Sequence, residues 1–281
     1  MVTELILRNH NLCLMKNNTP TSPLPDTLQE YGQKFKQFLL KIAEVVMFLQ
    51  LLVKNIVKSK FEGQEFLKQC YIIGNKSVGL ISITGIIIGL VLTIQSRPPL
   101  VEFGAEAMLP GMVAVSLIRE MGPVITALIC AGKIGSSMGA ELGSMRVTEQ
   151  IDAMEVSNTN PINFLVIPRV LAATLMIPLL TLYADIIGLF GSWLGVNIKD
   201  ETSLILFVNQ AFDYVEFIDI IPAIIKSFFF GAVIGIVGCY KGYHAKRGTE
   251  SVGIAANSAV VTASLLVIIV DLVAVQITDL L

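Results

Sequence analysis

Five charged residues stand inside long apolar runs: Arg119, Glu120, Asp185, Lys226 and Asp271. One charge at the centre of a bilayer costs roughly 2.5–3.5 kcal/mol, so five left unpaired would cost on the order of 10 kcal/mol or more. Such groups must pair or face water. Lys226 and Asp271 each lie about eight residues from the same end of their runs, which at 1.5 Å per residue is ~12 Å below one surface. That shared depth predicts a polar cluster of Lys226, Asp271 and Glu120, with Arg119 close by. A cluster of this kind can hold a polar head group, or it can act only as an ion-pair lock between helices.

Other chemistries find little support. Cys13, Cys70, Cys130 and Cys239 are scattered without a CxxC pair, and His10 and His244 lie far apart. That pattern argues against a disulfide framework, a histidine metal site or a Ser-His-Asp triad. The ALICAGKI segment imitates the end of a phosphate-binding loop. However, Ala127 stands where the first glycine belongs and Ile134 where a magnesium-holding Ser or Thr belongs. The chain is therefore expected to carry no cofactor and to hydrolyse no ATP itself. A powered cycle would need MgATP in a separate subunit.

The elements that position these charges are apolar helices. Hydrophobic residues make up 54% of the chain and charged residues 15%, with a mean hydropathy of +0.72. These values lie far from those of a soluble domain. Runs long enough to cross a bilayer occupy 77–95, 107–132, 164–196, 218–240 and 254–280. Pro110 and Pro123 predict a kinked or re-entrant second span. The fold expected is an all-α integral membrane protein of five transmembrane helices, residues 77–281. Residues 26–76 read as an amphipathic membrane-surface helix followed by an elbow helix over 66–74. The surface helix carries apolar residues at three-four spacing among Lys34, Lys36, Lys41, Lys54, Lys58 and Lys60. Residues 1–25 are polar, lack a signal-peptide core and read as a disordered cytosolic tail.

Two further patterns matter. Gly135, Gly139 and Gly143 recur every four residues, so they share a helix face open to close packing. Next, 144–157 (SMRVTEQIDAMEVS) sets Arg146, Glu149, Gln150, Asp152 and Glu155 beside Val147, Ile151 and Met154, as on a surface helix with one apolar stripe. Lysine and arginine placement puts this helix and the amino terminus in the cytosol and the carboxy terminus outside. A charged helix between two spans is a handle for a cytosolic partner.

The run from Met121 to Val170, MGPVITALICAGKIGSSMGAELGSMRVTEQIDAMEVSNTNPINFLVIPRV, strongly resembles the signature of MlaE/YrbE-type permeases. The likeness continues through FGAEAMLPG, through KSFFF at 226–230 and through YKGYHAKRGTESVGIAANSAVV to Asp271. It covers about residue 74 onward. The chain departs from the pattern at Lys133, where Arg is usual, and at Asn160, where Asp commonly precedes the proline.

The resemblance implies the membrane subunit of an ABC transporter moving phospholipids between inner and outer membranes. It implies a homodimer in the cell inner membrane whose interface encloses a lipid cavity open toward the periplasm. The cavity is lined by the positions of Arg119, Glu120, Lys226 and Asp271, and Asp185 fits a common family variant. It further implies an ATPase subunit seated on the 144–157 coupling helix, an MCE-domain protein on the periplasmic side and, in some systems, a STAS-domain protein. Burying two acyl chains is worth on the order of 20 kcal/mol at about 0.8 kcal/mol per CH2, so a lipid crosses water only under cover. A proton-coupled secondary transporter is the alternative, but inverted repeats are missing and the charged helix would then have no purpose. A membrane enzyme would need a nucleophilic or metal constellation, and none is seen.

Overall fold

The computed structural model describes residues 26–58, 62–199 and 201–280, and the tail expected over 1–25 lies outside them. The described residues form helices and no strand. The helices are α1 (Asp26–Lys58), α2 (Gly63–Glu102), α3 (Glu106–Val147) and α4 (Gln150–Val156). They continue with α5 (Ile162–Asn197), α6 (Leu204–Phe212), α7 (Phe217–Tyr243) and α8 (Thr249–Leu280). Five of them, α2, α3, α5, α7 and α8, are long and apolar enough to cross a membrane. The protein is an all-α, multi-pass membrane protein.

Contacts divide the chain into two units, Met1–Gln50 and Leu51–Leu281. In the first, α1 leaves Leu39, Leu40, Val46 and Met47 exposed. In the second, α2 buries Gln69, Ile73, Ser77, Ile81, Gly85, Gly89 and Thr93, a file spaced every four residues. Its other sides expose Leu80, Ile83, Ile87 and Val91, as suits a face turned to lipid. The sequence predicts a separate elbow over 66–74, but α2 runs through it unbroken. Gly74, inside it, packs against the Met176 side chain. Pro98 and Pro99 also stay inside α2, close to its end, where they free the carbonyls of Ile94 and Gln95.

Helix α5 is the hub, packing on α2, on α7 and on the middle of α3, while the end of α3 packs against both α7 and α8. The α2–α5 seam is backbone on backbone. A Cβ on Gly89 would strike the Gly188 carbonyl, and one on Gly191 would lie 2.8 Å from Ile86 Cα. Ser192 Oγ ties the seam by donating to the carbonyls of Gly188 at 3.0 Å and Gly89 at 3.2 Å. Gly191→Val therefore has no side-chain end to push aside, and overpacking of this kind costs about 1–3 kcal/mol or more. A lowered thermal midpoint in mild detergent is the expected result, and an unchanged midpoint would rule out this seam.

Helix α3 is not regular. A 3-10 turn at Glu106–Met108 opens it, and π turns interrupt it at Leu117–Met121 and Ala131–Gly135. Pro110 falls in the first turn of the following α segment, and Pro123 falls just after the first π turn. Each missing N–H thus sits where the hydrogen-bond ladder is already being reset. Opposite, α6 packs Phe207 and Ala211 on Leu109, Val113, Ala114 and Val196. Asn197 and Trp193 anchor the loop before α6 by donating to the Thr202 carbonyl at 3.1 and 3.0 Å.

Candidate functional site

The first π turn carries Arg119 and Glu120, and it turns Glu120 toward α7. Lys226 Nζ donates to Glu120 Oε2 at 2.8 Å and to Asp271 Oδ1 at 3.1 Å. One lysine thus joins α3, α7 and α8. The Lys226 side chain is 5% exposed, whereas Glu120 is 36% exposed and Asp271 19%. The ammonium is buried and the cluster opens on its carboxylate side. Arg119 faces Asp219 at 3.9 Å. Asp219 also caps α7, since its Oδ2 accepts the Glu216 N–H at 3.1 Å. A small cleft lined by Arg119, Glu120, Asp219, Pro222 and Lys226 joins the two ion pairs. A buried cation flanked by accessible carboxylates is an arrangement able to exchange partners with a charged ligand.

Asp185 does not join this cluster. It is 6% exposed on α5 and has no ion pair among the described residues, and its buried Oδ1 lacks a hydrogen-bond partner. The three glycines of α3 also diverge. A Cβ on Gly139 would lie 3.2 Å from Ala256 Cα, whereas Gly143 is in ordinary contact with Ala245, Val252 and Ala255. A Cβ on Gly135 would meet Ile234 at 3.9 Å, and the Gly135 backbone lies instead against Gly238 of α7. The close approach to α8 therefore belongs to Gly139.

The charged stretch is not one helix over 144–157. Residues 144–147 end α3, the chain turns at Thr148–Glu149, and α4 occupies Gln150–Val156. Glu149 takes a left-handed conformation at φ 58°, as does Asn158 at the far end. No glycine or proline marks the break, so periodicity alone reads straight across it. Arg146 pairs with Asp152 across the turn, and Arg247 meets Glu149 at 3.8 Å on the exposed side. Tyr243 Oη donates to Glu155 Oε1 at 3.3 Å. Gln150 is exposed and Ile151 fully buried.

The two departures noted in sequence both have partners. Asn160 Oδ1 accepts the Ile162 N–H at 3.1 Å, and Lys133 donates to the Lys76 carbonyl. One further pair, with a buried cation, has no counterpart among the five charges singled out in sequence. Arg169, 1% exposed, donates to Glu141 Oε1 at 2.8 Å and to the Leu165 carbonyl at 2.7 Å. The rule that picked out the other five charges applies to Arg169 too. Its place soon after Asn160–Pro161 makes it look like a cation at a helix end.

The family model for permease MlaE matches residues 66–277, three-quarters of the chain and every span. The chain belongs to the MlaE permease family. It is accordingly a membrane permease subunit, built for passage rather than for catalysis. The permease is 37% identical over 238 residues to a probable ABC transporter permease protein of Rickettsia prowazekii, covering 85% of this chain and 92% of that one. A probable ABC transporter permease protein of Synechocystis is 35% identical over 215 residues, covering 76% and 82%. Protein TRIGALACTOSYLDIACYLGLYCEROL 1, chloroplastic, of Arabidopsis thaliana is 31% identical over 258 residues, covering 92% and 73%.

Proposed function

We propose that this permease moves phospholipids between inner and outer membranes as the membrane subunit of an ABC transporter. The observation that carries the reading is the buried Lys226, paired with Glu120 and Asp271 inside an apolar bundle yet open on its carboxylate side. A lipid needs an apolar wall for its tails and a few charges for its head group, and this region offers both. The Arabidopsis relative, whose name is that of a galactolipid, supports a lipid as substrate. The transporter sits in the cell inner membrane as a homodimer, with the amino terminus cytosolic and the carboxy terminus periplasmic. An MCE-domain protein receives or delivers lipid on the periplasmic side, and a STAS-domain protein is a further candidate partner.

In this reading MgATP is hydrolysed by a separate ATPase that grips the corner formed by Arg146, Glu149, Gln150, Asp152 and Glu155. Asp152 is a poor probe of that grip, because reversing it also breaks its pair with Arg146. Glu149 is better, because its pair with Arg247 is exposed on both sides and such pairs contribute about 0–1 kcal/mol. Glu149→Lys is expected to leave the permease folded and to abolish ATPase copurification. Undiminished copurification would remove the corner from the interface. The reading as a whole is tested by mass spectrometry of lipid bound to the purified complex, together with a vesicle transfer assay. Transfer by the permease without any ATPase would overturn it.

A further inference from the structure

Asp185 lies in the wrong place to serve as a head-group ligand and in a suitable place to hold the π turn that carries Glu120. The small space beside it is walled by Ile118, Pro178, Thr181, Ala223 and Ser227, with no cation among its lining residues. Its carboxylate packs instead on Gly122, the residue directly after the turn. A Cβ on Gly122 would run into Asp185 Oδ1 and would stand 2.9 Å from the Leu117 carbonyl. That carbonyl closes the turn by accepting the Gly122 N–H. Gly188 lies one turn further along the same face of α5 and meets the other end: its Cβ would stand 2.6 Å from Leu117 Cδ1.

We infer that Asp185 is a positioning residue which, with Gly188, clasps both ends of the π turn Leu117–Met121 and thereby holds Glu120 in register with Lys226. A π turn carries one residue more than the α ladder allows, and it persists where surrounding packing imposes it. Relaxing it to regular helix would rotate the side chains on one side by roughly 100°, the angle of one residue at 3.6 per turn. Glu120 would then point away from α7. The clasp keeps the turn wound, and shape rather than charge is what Asp185 supplies.

The inference rests on the reading that the Lys226 cluster serves transport, but its test has a readout that does not. Full-length variants in their native membranes are treated with a membrane-permeant amine-acylating reagent, and modification of Lys226 is read by mass spectrometry. Lipid transfer is measured in parallel on the complete transporter. Asp185→Asn keeps the shape without the charge, so Lys226 should stay protected and transfer should remain near wild type. Gly122→Ala should expose Lys226 to labelling and lower transfer by about tenfold or more, as small misplacements of a positioned group do. Gly188→Ala should act in the same direction from the other end, which keeps the test open if Gly122→Ala does not accumulate. Asp185→Ala, which removes the clasping side chain, should likewise expose Lys226 to labelling.

Protection of Lys226 in both single glycine variants would overturn the clasp. So would an Asp185→Asn variant as impaired as Glu120→Gln, since the charge itself would then be in use. If Glu120→Gln transfers lipid normally, the transport reading fails while labelling still decides the clasp.

Discussion

Lys226→Ala is expected to reduce lipid transfer to the level of vesicles without the transporter and to lower the permease's stability. Both effects follow from one geometry: Lys226 sits between Glu120 and Asp271, at 2.8 and 3.1 Å. Removing it leaves two carboxylates facing each other among apolar helices. Breaking a buried pair from one side costs about 3–5 kcal/mol because the remaining charge is uncompensated. Glu120→Ala is the milder change, since Lys226 keeps Asp271 and the Glu120 side chain was already 36% exposed. The expected order of thermal midpoints is wild type, then Glu120→Ala, then Lys226→Ala.

A third variant separates function from stability. Glu120→Gln, Lys226→Met and Asp271→Asn together remove the three charges of the cluster while keeping the volumes, so no charge of the trio is left uncompensated. This triple variant should assemble with a midpoint near wild type and still fail to move lipid. Normal transfer by it would mean that the cluster only locks helices, and the head-group role would be lost.

The second large effect is expected at Arg169 and Glu141. Arg169 is among the largest fully buried side chains, and its guanidinium ties α5 to the last third of α3. Deleting either partner is not equivalent. Glu141→Ala takes away the carboxylate that the buried guanidinium touches and leaves it the longer-range attraction of Glu65, which should cost up to about 3–5 kcal/mol. Arg169→Met removes the charge, fills most of the volume and leaves Glu141, 47% exposed, free to take water. It should cost distinctly less. Arg169→Lys should fare worse than its charge suggests, because one ammonium cannot reproduce a fork that reaches both Glu141 and the Leu165 carbonyl. Thermal unfolding of the three variants and of the Arg169→Met/Glu141→Ala double variant checks this. A double variant much less stable than Arg169→Met alone would rule out the pair as the cause.

The sequence alone determined that this is an all-α membrane protein with five spans, and it determined the family. Both can be read because hydropathy is a sum over local residues and a long motif needs no folding to be recognised. It also singled out Lys226, Glu120 and Asp271 as charges that must find partners. Shared depth already predicted that these three meet; only the tertiary structure decided that Asp185 stays apart and that Arg119 faces Asp219. Pairing depends on helix phase, and each π turn in α3 shifts that phase by a residue without leaving a mark in composition. For this reason Asp185, equal to the others in sequence, faces Gly122 instead of a cation. Likewise the corner at Glu149 carries no local breaker, and the Arg146–Asp152 pair that spans it joins two elements. Glu149 itself holds a left-handed backbone that its residue type does not favour. Local chemistry set the depth of each charge, while close backbone packing between helices set the direction in which each one points.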